Sequence, residues 1–213
     1  MTARVLFYLT LLTLVTALAL WKYRKLSKAF KYLALLLVIT LMSEITAKVL
    51  EVKIGSSFSV YHFLIVGGMI LNFFIYLNIL VLKKLSFLMV LGLTVVLIIL
   101  TVYNSVYIQP SYQFPSNGIM LHCFQTIFLA LLLFLNMLKF PVKTALFKQP
   151  AFWLNTGNLV FYGVTFSVFA FYNFFYQSVG GNSAGFNLVY LANILLYSSY
   201  AYAILLNSNV KNG

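Results

Sequence analysis

The stretch LLLVITLMSEITAKVL, residues 35–50, decides the class of fold, because it sets a carboxylate inside a run that is otherwise almost wholly apolar. With the residues just before it, this run reaches the roughly 20 residues that an α-helix needs to cross about 30 Å of hydrocarbon. Glu44 is one of only two acidic residues in the 213-residue chain, so its position within such a helix is the most informative single feature of the sequence.

Working outward, the whole chain shares this character. It is 63% hydrophobic and 8% charged, with a mean hydropathy of +1.00, which leaves too little polar material to clothe a soluble globule. Apolar runs separated by charged or turn-forming breaks predict seven spans, at about residues 5–20, 31–50, 58–82, 85–103, 119–138, 153–176 and 186–206. The expected fold is an all-α integral membrane protein, a single seven-helix transmembrane bundle over residues 1–213. Only Lys83 and Lys84 separate the third and fourth spans, so a tight helical hairpin is expected there. The first span has no small-residue cleavage site before WKYRK, and it reads as a retained helix and not as a signal peptide.

The basic residues set the orientation. Eleven of the fourteen (Lys22, Arg24, Lys25, Lys28, Lys31, Lys83, Lys84, Lys139, Lys143, Lys148 and Lys211) fall after spans one, three and five or in the C-terminal tail. Arg4, Lys48 and Lys53 fall toward the other side. This asymmetry predicts an outside N-terminus and a cytoplasmic C-terminus, in a bacterial inner membrane. The net charge of +12 is a topology signal that also suits anionic lipid headgroups; it does not read as a nucleic-acid patch. The predicted outer side carries two long uncharged loops, residues 104–118 and 177–186, rich in turn formers and tyrosine.

Polar side chains on a spanning helix usually face its neighbours. Span six draws one stripe through Asn155, Asn158, Tyr162, Thr165, Phe169, Tyr172 and Tyr176, at steps of three and four. Span seven repeats it with Tyr190, Asn193, Tyr197, Tyr200 and Asn207. Span five carries His122, Gln125 and Asn136, and span three carries Tyr61, Gly68, Asn72 and Tyr76, with Gly67 and Gly68 expected to let another backbone approach. Spans one and four read as the lipid-facing rim. Either hydrogen-bonded packing, the expectation for Asn72, Asn78, Asn136, Asn155 and Asn158, or a polar pathway would produce these stripes.

Glu44 lies about three residues past the middle of its span, roughly 5 Å toward the outer side at 1.5 Å per residue. Lys48, at the i, i+4 spacing, can pair with it and snorkel outward. His62, His122, Gln125, Tyr172, Asn173 and Tyr190 reach the same layer from other spans, so we expect a ligand pocket there. A lone intramembrane carboxylate costs about 2.5–3.5 kcal/mol, so Glu44 should be paired, hydrogen-bonded or protonated.

No enzyme is expected, since the adjacent Cys123 and His122 diverge on a helix and phosphate-loop, dinucleotide and HExxH motifs are absent. Cys123 is the one cysteine, which excludes an internal disulfide. No cofactor or metal is expected. The minor alternative is a b-type haem between His62 and His122.

KQPAFWLNTGNLVFYGVTF at 148–166, LVYLANILLYSSYAYAI at 188–204, Ser43 with Glu44, and Tyr61 with His62 resemble a small seven-helix membrane module of Bacteroidota. That module is found as the N-terminal membrane part of sensor histidine kinases and as stand-alone proteins. The resemblance implies a sensory module with a cytoplasmic C-terminus. The chain stops at Gly213 without an output domain, so a signal would pass to a separate protein partner. The function expected is thus a receptor-like or accessory membrane module. A small transporter or a structural subunit of a larger membrane complex are the alternatives.

Overall fold

A backbone surrounded by hydrocarbon must satisfy its own amides, and a chain of long apolar runs does so by forming helices. The computed structural model describes residues 3–142, 144–171 and 184–210 and is helical along almost all of them. Its seven α-helices are α1 (Ala3–Lys22), α2 (Lys28–Ile54), α3 (Phe58–Leu77), α4 (Lys84–Tyr103), α5 (Ser116–Lys139), α6 (Pro150–Ala170) and α7 (Ala184–Val210). No strand occurs among the described residues.

Among the described residues six helices are long and apolar enough to cross a membrane, which is compatible with an integral membrane protein. The exception is α6, which has 21 residues but carries Asn155, Thr156, Asn158, Tyr162, Thr165 and Ser167. Its packing explains how a bundle tolerates this. The helix is clasped by α5 and α7 through the two largest interfaces of the fold, which bury Asn155, Asn158, Tyr162 and Thr165, while the exposed Ser167 donates to Gly163 O of its own helix.

The helices form a ring in the order α1, α2, α3, α5, α6, α7, closed by α7 against α1. The fourth helix packs outside it, on α3 and α5. A core of Leu12, Leu33, Leu37, Tyr76, Leu129, Leu133, Leu154 and Ile204 fills the ring, while a smaller cluster of Ile65, Met69 and Leu97 attaches α4. The expectation that α1 belongs to the rim with α4 is corrected here. Leu12, Val15, Thr16 and Ala19 are buried, and α1 closes the ring.

Several boundaries depart from the sequence reading for identifiable reasons. α3 stops at Leu77, five residues early, because the Asn78 side chain donates to Phe74 O (2.7 Å). The expected tight hairpin is therefore a short irregular connection. The Asn136 side chain clamps it through both amide groups, donating to Val81 O (3.0 Å) and accepting from Val81 N (3.4 Å). α2 runs on to Ile54 and ends at Gly55, whose φ of 78° only glycine adopts freely. Part of the expected loop at 104–118 is a π-helical turn, Asn104–Ile108.

The connections α1–α2, α3–α4 and α5–α6 gather at one end with the C-terminus of α7. Asn207 ties that helix to the first of them, accepting from Ser27 N (2.9 Å) and donating to Ser27 Oγ (3.2 Å). Lys22, Arg24, Lys25, Lys28, Lys83, Lys84, Lys139 and Lys148 sit at this lysine-rich end. At the opposite end, Asn104, Gln109, Ser116 and Asn117 knot the α4–α5 connection with four side-chain hydrogen bonds of 2.8–3.2 Å.

Candidate functional site

A mainly apolar cavity of about 260 Å³ lies inside the ring. Every ring helix lines it and α4 does not. Tyr8 of α1, Glu44 of α2 and Tyr61 of α3 stand together in its wall. The Tyr8 hydroxyl donates to Glu44 Oε1 (3.2 Å) and the Tyr61 hydroxyl to Oε2 (3.4 Å), so each carboxylate oxygen has one phenol donor from a neighbouring helix. Tyr197 of α7 stacks obliquely on Tyr8, with centroids 5.8 Å apart. Further wall residues are Thr40, Cys123, Phe161, Thr165, Phe169 and Asn193.

The floor is polar and closed. His122 Nε2 lies 3.0 Å from Asn72 Nδ2, which also donates to Thr126 Oγ1 (3.1 Å) and Tyr162 OH (3.2 Å). Gly68 makes room for the imidazole, since a Cβ there would lie 2.8 Å from His122 Cε1. The glycine thus admits a side chain where the sequence suggested a backbone, and Gly67 has no such neighbour. One layer deeper, Tyr200 donates to Asn158 Oδ1, Asn158 Nδ2 donates to Tyr76 OH (3.0 Å), and Tyr76 donates to Asn155 Oδ1 (2.9 Å). Asn155 Nδ2 ends the chain on Ala130 O (2.9 Å). The Tyr200–Asn158–Tyr76–Asn155 chain is buried and mutually satisfied across α3, α5, α6 and α7, whereas Asn72 Oδ1 above it has no partner.

Of the residues expected in one pocket, the cavity gathers Glu44 and His122, together with Tyr162, Thr165, Asn193, Tyr197 and Tyr200 of the two stripes. Asn155 and Asn158 lie beneath it. Lys48 does not pair with Glu44. It bonds Glu51 at 2.6 Å on the exposed side of α2, the one ion pair among the described residues, since the i, i+3 partner shares solvent with its ammonium and the cavity does not. His62 is buried but turned toward the α4–α5 connection, with Nδ1 2.8 Å from Ser105 Oγ and Nε2 3.1 Å from Gln113 O. Gln125 shares the i, i+3 face of α5 with His122 but is not in the cavity wall, because its amide donates to Met69 O of α3 (3.2 Å) and Thr94 Oγ1 of α4 (3.3 Å). Tyr190 is off the lining, where its neighbour Val189 stands. Tyr172, Asn173 and Tyr176 lie outside the described residues. Both nitrogens of His62 are thus engaged by the α4–α5 connection, while His122 Nε2 meets Asn72.

The sequence reading missed Tyr8. It is the one tyrosine of α1, and that was the available signal. Thr165, named in the stripe of span six, lines the cavity with an unpartnered hydroxyl and is 5% exposed.

Compared with protein-family models, with curated proteins and with solved structures, the chain gives no match.

Proposed function

We propose that the protein is a receptor-like membrane module that binds a small ligand in the cavity at the centre of its helix ring. The observation that carries this reading is the cavity itself. Six helices meet around a space that they leave unfilled, and their polar groups Glu44, Thr165 and Asn193 stand in its wall. Small-molecule sites have this composition, mostly apolar with a few placed polar groups.

All seven helices, including the polar α6, span the bilayer in this reading, with the N-terminus outside and the lysine-rich end in the cytoplasm. That orientation puts Glu44 in the outer leaflet of a bacterial inner membrane and the basic end against anionic lipid headgroups. The satisfied network below the cavity argues against an open path through the inner half, which favours sensing over transport. Tyr200 belongs both to the cavity wall and to that network, so an occupant that moves its ring acts on α6 and α7 together. Asn207 carries the movement of α7 to the α1–α2 connection, where a separate cytoplasmic or membrane partner would read it.

The test is thermal unfolding with small apolar solutes such as phenethyl alcohol, which raise the midpoint if they bind only the folded state. The upshift is expected in the native protein and not in a Leu64→Trp variant, whose indole enters the cavity from α3. Equal upshifts in both, or none in either, would remove the cavity from the account.

A further inference from the structure

The cavity contains a carboxylate that no cation contacts among the described residues. Glu44 is held by two phenol hydroxyls, which supply hydrogen bonds and no charge. Among the described residues no lysine or arginine lines the cavity, Lys48 bonds Glu51 and reaches Glu44 only as a charge at a distance, and the His122 nitrogen that meets a side chain meets Asn72. In a medium this apolar, an anion without a cation is costly, and a positive group placed beside it restores the balance. The surroundings suit such a group. Tyr8, Tyr61, Phe161, Phe169 and Tyr197 line the same space, and an aromatic face attracts an ammonium. The buried, unpartnered Thr165 hydroxyl offers one more polar contact.

Resting on the reading of the cavity as a ligand site, we propose that its ligand is a small amphiphilic amine. The ammonium pairs with Glu44 between Tyr8 and Tyr61, and the apolar body lies against the aromatic and aliphatic wall. The size follows from the cavity. A volume of about 260 Å³ holds a phenyl or short alkyl body.

The experiment measures binding of three molecules of one shape and different charge, phenethylamine, phenethyl alcohol and phenylpropionate. The full-length protein is held in lipid nanodiscs, with empty nanodiscs subtracted. For the native protein the amine should bind tighter than the alcohol by about tenfold or more, with the acid weakest. In Glu44→Gln, which keeps the shape and a hydrogen-bonding end, the amine should lose that advantage while the alcohol binds as before. An alcohol that binds as well as the amine, or an amine preference that survives Glu44→Gln, overturns the charge assignment and leaves the cavity reading in place. Binding of none of the three overturns both. The native ranking needs no variant, so the proposal stays refutable even if Glu44→Gln fails to fold.

Discussion

A close approach between two helices suited to a stability test is at Gly157 of α6. A Cβ added there would lie 2.8 Å from Ser199 Cβ and 3.3 Å from its Oγ, on α7. Carbon pairs are comfortable at about 3.5–4.0 Å, so Gly157→Ala forces the helices apart by roughly 0.7–1.2 Å or bends one of them. Overpacking of this kind costs about 1–3 kcal/mol. Against it stands the helix preference of alanine over glycine, about 1 kcal/mol. The net expectation is a destabilisation of about 0–2 kcal/mol. Gly163, on the same helix, is the control, because a Cβ there meets nothing within 4 Å and Gly163→Ala keeps only the favourable term. The two variants should therefore differ by about 1–3 kcal/mol, or about 2–12 °C in midpoint for a chain of this size. The assay is built into the protein. Cys123 is the single cysteine and is 1% exposed, so a thiol-reactive dye reports unfolding when it reacts. Adding Ser199→Gly to Gly157→Ala should recover the packing loss as a coupling between the two sites. If Gly157→Ala is as stable as Gly163→Ala, or Ser199→Gly recovers nothing, the close contact of α6 and α7 is wrong.

Three further outcomes are expected. Tyr76→Phe strands Asn155 Oδ1 and Asn158 Nδ2 together, and the same dye assay should show a loss of about 1–2 kcal/mol, since unsatisfied buried groups cost about 1–3 and intramembrane bonds sit toward the low end; an unchanged midpoint would count against the network. Lys48→Ala breaks an exposed i, i+3 pair and should change stability by less than about 0.5 kcal/mol, whereas a Lys48 that secretly neutralised Glu44 would cost several times more. For the orientation, Lys84→Cys and Ser111→Cys in a Cys123→Ala background should label from opposite faces of intact cells with a membrane-impermeant maleimide, Ser111→Cys from outside; labelling from one face would break the alternating layout.

The helices were legible because hydrocarbon leaves the backbone few choices, and the apolar runs state their lengths. Their ends were less so. The early stop of α3 depends on Asn78 bonding its own helix and on Asn136 reaching Val81 from 55 residues away, a contact that no local pattern encodes. The stripe on α6 was legible down to Asn155, Asn158, Tyr162 and Thr165, since one helix face needs only a period of 3.6. Which groups share a pocket was not. Depth placed Glu44, His62, His122 and Gln125 in one layer, but azimuth separates them, and azimuth depends on which helices are neighbours. Once α4 leaves the ring, His62 and Gln125 turn to it and Tyr8 takes a place beside Glu44.

The polar stripes do different work at different depths. Toward the lysine-rich end, each amide of Asn155 and Asn158 has donor and acceptor matched within the bundle, and such a closed set gains nothing from an added molecule. Around the cavity the matching stops. The Thr165 hydroxyl has no partner, and Glu44 has donors without a cation. A bundle selected only for stability would fill that space with leucine and drop the carboxylate, as it does with Leu129, Leu133 and Leu154 below. In the proposed reading an occupant that moved the Tyr200 ring would act on Asn158, Tyr76 and Asn155, which hydrogen bonds already hold in place.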